Sequence, residues 1–149
     1  EDMLNHPHIR VCQETILALA KIKSKESLNL LFKAYNNSKI PIYLRALAIG
    51  CMGDFDDIKP KQIFIDILND ERHPQTELEI RASGIRQLFK YPEPEIIEKL
   101  KSFITHLHIL HKKHWDELKK AAYYALENMD SPEAQKVIEA LNKNYKKDV

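Results

Sequence analysis

Residues 41–55 read PIYLRALAIGCMGDF and residues 78–91 read LEIRASGIRQLFKY. Laid on Met52 and Leu88, the two stretches coincide column by column. Arg45 and Arg81 stand seven positions before the anchor, Ala48 and Gly84 four before, Ile49 and Ile85 three before, and Phe55 and Tyr91 three after. The same columns extend outward to anchors at Leu19 and Leu126, giving intervals of 33, 36 and 38 residues. There the small column continues with Thr15 and Ala122, and the large column with Ile16 and Tyr123. One position before the anchors stand Ala18, Cys51, Gln87 and Ala125, and three after stand Ile22, Phe55, Tyr91 and Met129. On a 3.6-residue helix these positions form one face: large residues fill a core, and small ones admit a neighbouring helix. Gly84, at a cost of about 1 kcal/mol relative to alanine in a helix interior, marks such a close approach.

The rest of the chain obeys the same period. Ile9, Cys12, Ile16, Leu19 and Ile22 step by three or four, Ile97, Leu100, Phe103, Ile104 and Leu107 keep the same helical style, and period-two alternation is absent. Pro7, Pro41, Pro60, Pro74, Pro94 and Pro132 each precede an apolar-periodic run, where a missing N–H is tolerated at a helix start. Together these signals predict eight helices, near 8–22, 26–37, 42–53, 60–70, 76–90, 94–111, 115–129 and 132–146, in a single domain over 1–149. Short connections make successive helices antiparallel neighbours.

Leu44-Arg45-Ala46 and Ile80-Arg81-Ala82 resemble the Val-Arg-x-Ala start of the second helix in HEAT repeats. Gly53-Asp54 is similar to the turn that follows that helix, and Asp130-Ser131-Pro132-Glu133-Ala134 to the inter-helix turn of the bacterial HEAT-like subclass. The resemblance implies an all-α fold, a right-handed α-α superhelix of about four helical pairs. It implies that Arg45 and Arg81 tie neighbouring repeats together and that the second helices line a concave surface. It further implies a noncatalytic scaffold or adaptor for a protein partner. Two other functions belong to the same resemblance: a tetrapyrrole-binding component like the HEAT-like phycobilin lyases, and a relative of the HEAT-like alkylpurine DNA glycosylases. The first repeat departs from the pattern, with Arg10 two positions off the arginine column. The abrupt start at Glu1 leads us to expect further repeats upstream.

On the exposed ridge of the second helices, Tyr43, Leu47, Arg86, Lys90 and Tyr124 are the expected partner-binding residues, since Tyr and Arg concentrate at the energetic centres of interfaces. The 149 residues carry a net charge of +1, with 10 basic and 10 acidic residues in 1–75 and 13 and 12 in 76–149. This balance removes the usual warrant for nucleic-acid binding and argues against the basic groove a glycosylase needs. No apolar run of transmembrane length and no signal-peptide pattern occur, so no membrane partner is expected. Cys12 and Cys51 form no metal spacing and read as small core residues with free thiols, which points to a cytoplasmic setting.

Candidate chemistry is sparse. His106, His108, His111 and His114 fall within nine residues, and His108, His111 and His114 are spaced to share a helix face as metal ligands. Lys112 and Lys113 oppose a dication there, and the cluster holds no Cys or carboxylate, so a solvated helix end with no metal or other cofactor is expected. Asp54, Asp56 and Asp57 lack the distal Glu of a calcium loop and read as a turn and helix-start charges. The basic stretch Lys143–Lys147 reads as a helix C-terminus, and Trp115 as a core or cap-packing residue. No nucleophile elbow, phosphate loop or zinc-protease motif is present, so no enzyme activity is expected.

Overall fold

The structure, a computed structural model, describes residues 2–73, 77–108 and 110–145. Among them are eight α-helices and no strand: α1 (Ile9–Ile22), α2 (Lys25–Asn36), α3 (Ile42–Met52), α4 (Ile58–Leu68), α5 (Leu78–Arg86), α6 (Pro94–Thr105), α7 (Lys112–Glu127) and α8 (Pro132–Tyr145). The all-α reading holds. Local chemistry sets most of the ends. Ser24 caps α2 by accepting from the Ser27 N–H at 3.0 Å, Asp57 caps α4 by accepting from the Lys59 N–H, and Pro94 opens α6. Lys23 closes α1 in the left-handed conformation, φ 54°. The expected start of α5 at residue 76 and the basic residues Lys146 and Lys147 lie outside the described residues.

Three boundaries differ from expectation. Helix α6 stops at Thr105 rather than near 111: His106 is extended, and the Thr105 hydroxyl donates back to the Lys101 and Ser102 carbonyls. Leu107, expected on the apolar stripe, is therefore 79% exposed. Helix α7 begins at Lys112 rather than near 115, with His111 left-handed at φ 55°. Residues 87–90 tighten into a 3-10 turn, so α5 proper is shorter than the 76–90 expected.

The odd-numbered helices form one row: α1 packs on α3, α3 on α5, α5 on α7. Each of α2, α4 and α6 packs chiefly on the odd helix that follows it, and α8 lies on α7 and α6. The repeat columns build this row. All four anchors are buried, as are Ile16, Ile49 and Ile85 of the large column. The small column does what its size permits: a Cβ on Gly84 would come within 2.7 Å of Ile67 Cδ1 and 3.3 Å of Ile49 Cδ1. Ile9 and Ile22 depart from the predicted stripe, since both are exposed at the free side of α1.

The column seven before the anchors has one task throughout. Arg45 Nε donates to the Tyr35 carbonyl at 2.7 Å, Arg81 to the Asp70 carbonyl at 2.6 Å, and Lys119 to the His106 carbonyl. Cys12 Sγ donates to the His6 carbonyl at 3.2 Å. Each side chain thus serves a carbonyl that its own preceding element leaves without a helical partner. The two arginines also reach forward. Arg45 pairs with Glu77 at 2.6 Å, and the Arg81 guanidinium, 1% exposed, lies 5.6 Å from the Trp115 ring.

Candidate partner-binding groove

Close packing of α3 on α5 creates the groove. Ser83 Oγ donates to the Ala46 carbonyl at 2.8 Å, a Cβ on Gly50 would stand 3.1 Å from that hydroxyl, and Gly53 abuts the Gln87 amide. With only Ala46, Ala82 and Ser83 between the helices at this edge, the longer residues beside them frame a depression of about 440 Å³. Tyr43 and Leu47 of α3 stand on one side, Leu78, Glu79 and Arg86 of α5 on the other, and Glu117 of α7 closes it. Tyr43 is 46% exposed. The Glu117 carboxyl is held below the ordinary carboxylate value, first by the hydrogen bond from Lys120, with Arg86 adding its charge.

Three of the five expected ridge residues, Tyr43, Leu47 and Arg86, therefore meet in one place. Tyr124 lies on α7, 44% exposed, outside the lining of this groove. Lys90 is engaged elsewhere, pairing with Asp54 at 2.5 Å beside the Phe89 ring. Glu79 and Glu117 occupy the same repeat column as Tyr43, nine before the anchor, which is the signal that could have placed them here. Ala82 shares its column with Ala46, which also lines the groove, whereas Leu78 shares one with Ile42, which does not, so that column does not place it.

The histidines do not share one helix face. His108 stacks on Trp115, centroids 3.8 Å apart and 5° from parallel, whereas His111 packs edge-on against His73 at 3.9 Å. His114 lies 6.4 Å from His73. Because α6 ends at Thr105, His108 lies in the connection and turns to Trp115 while His111 and His114 approach His73, and among the described residues no group of three His, Cys, Asp or Glu is placed to hold a metal ion. Burial, with help from Lys119 and His106, lowers the His108 pKa. A second depression, about 770 Å³, lies between His108, Trp115, Lys99 and Asp70. Arg72 donates to Asp70 through Nε and Nη2 at 3.0 and 2.8 Å and holds its carboxyl below the usual range.

Cys12 and Cys51 are buried free thiols. No helix among the described residues is long and apolar enough to cross a membrane. Comparison with protein-family models, with curated proteins and with solved structures finds no match.

Proposed function

We propose that this chain is a HEAT-like α-α superhelix that acts as a noncatalytic scaffold and receives a protein partner on the α3–α5–α7 face. The observation that carries the reading is the groove itself: Tyr43, Leu47 and Arg86, chosen from repeat columns, line one depression drawn from three successive odd helices. Its floor is fixed by small-residue packing, so little ordering is needed on binding. Tyr and Arg are the side chains that dominate interface energetics. Glu79 and Glu117 at the rim favour a partner that places an apolar anchor between basic residues. The row α1–α3–α5–α7 with its flanking helices supports the superhelical reading.

The test is capture of interacting proteins from the source cells by the wild-type chain and by the triple variant Tyr43→Ala/Arg86→Glu/Tyr124→Ala. The expected result is loss of a specific partner by tenfold or more at unchanged melting temperature, as the loss of about 1.4 kcal/mol requires. Capture of that partner undiminished by the triple variant rejects this face.

A further inference from the structure

The four copies of one helix face differ in how far they are buried. On α3 the positions eight, four and one before the anchor and three after it are Leu44, Ala48, Cys51 and Phe55, and all four are buried. On α7 they are Leu118, Ala122, Ala125 and Met129, again all buried. Ile80 and Gly84 of α5 are buried, while Gln87 and Tyr91, in and just after the 3-10 turn that follows it, are half-buried. On the α5 copy these positions face what precedes the helix: a Cβ on Gly84 would meet Ile67 of α4 and Ile49 of α3, Gln87 lies against Gly50 and Gly53, and the Tyr91 ring against Phe64 of α4. On α1 the corresponding residues are Val11, Thr15, Ala18 and Ile22. Ala18 is exposed, Ile22 is 65% exposed, and Val11 and Thr15 are only half-buried. They border an open apolar depression of about 880 Å³, extended by Met3 and Leu30.

We infer that this outer face of α1 is a docking surface for an amphipathic α-helix, laid along α1 as α1 is laid along α3. Continuity with the existing row identifies the occupant. The small residues Thr15 and Ala18 admit a close-lying helix, Val11 and Ile22 flank its path, and the counterpart of Ile49 on that helix would rest on Thr15. Arg10 and Glu14, one turn apart on the rim, make no ion pair among the described residues, and they suit an occupant carrying charges of both signs. A second copy does not supply this helix from its far end. There α7 and α8 expose Lys120, Glu127, Lys136 and Glu139, and Tyr123, which stands at the Ile49 position, is engaged by its hydroxyl with Asn142 of α8.

The probe is a fluorescein-labelled peptide of residues 7–24 with Cys12→Ser, the helix whose inner face already lies on these columns of α3, with Ile16 at the Ile49 position. Titrated with the 149-residue protein, it is expected to bind. Kd should rise at least tenfold for Ala18→Arg and for Ile22→Asp, with the melting temperature of both variants within a degree or so of wild type because the sites are exposed. Tyr43→Ala is expected to leave peptide binding unchanged, so the outcome is independent of the groove reading. Absence of binding at about 1 mM peptide overturns the inference, as does binding indifferent to both substitutions. A dimer that cross-links through Ala18→Cys and is abolished by Ala18→Arg overturns it in favour of a second copy on this face.

Discussion

At the residue scale, Gly84 shows how much one missing methyl group can decide. The Cδ1 atoms of Ile67 and Ile49 close in on the space where its Cβ would stand, so α4 and α3 both depend on the vacancy. Gly84→Leu is expected to destabilise by about 2–3 kcal/mol through overpacking and to lower the melting temperature by roughly 4–10 °C in a calorimetric scan. Gly84→Ala is expected to stay close to wild type, since the gain in helix propensity offsets a small shift of the Ile67 end. Equal melting temperatures for wild type and Gly84→Leu would mean that the helices are not held this close. The vacancy was legible in the sequence because a glycine stood where the other copies have Thr15, Ala48 and Ala122. The resemblance assigned Arg45 and Arg81 to tying neighbouring repeats together, whereas the carbonyl-serving task they share with Cys12 and Lys119 was not legible. Nothing in residue type announces that a thiol and an ammonium take the same place, because the partner in each case is a backbone carbonyl.

At the scale of elements, proline punctuation and apolar period located every helix, and the link between α6 and α7 is where that reading failed. A run of apolar residues continues through Leu107, but a backbone can leave the helix while the pattern persists, and only the packing of His108 on Trp115 reveals that it has. The same packing has a pH consequence. Burial lowers the His108 pKa in the folded state, so the unfolded chain takes up the proton first. Stability is full above the unfolded value of about 6.5 and declines as pH falls through the lower folded value. Thermal melts between pH 7.5 and about 5 should show this decline, shallower in His108→Phe, which keeps a ring against Trp115. Emission from Trp115, the sole tryptophan, should change over the same range in wild type and not in the variant. A melting temperature equally pH-dependent in both proteins would assign the effect to other groups, such as His73, whose pKa burial also lowers.

For the whole molecule, stability is expected to be graded along the row. Helices α3 and α5 have odd neighbours on both sides and share the most extensive helix–helix contact, whereas α1 has one odd neighbour and α8 lies at the far end. Amide exchange should be slowest in α3 and α5 and fastest in α1 and α8, the pattern of a stack that opens from its ends. Uniform protection along the chain would instead mean a single cooperative unit. The groove was only partly legible at this scale: a column names the residues on an edge, but which of them share a depression depends on the helix offsets, which is why Lys90 and Tyr124 fall outside it. The carbonyl-serving column adds one more property. The chemical bridge is kept while the number of residues it spans rises from 6 at Cys12 to 10 at Arg45, 11 at Arg81 and 13 at Lys119. Loop length is thus decoupled from the placement of the helices, so insertions and deletions between an even helix and its odd partner can accumulate, or be engineered, without shifting the surface that the odd helices present.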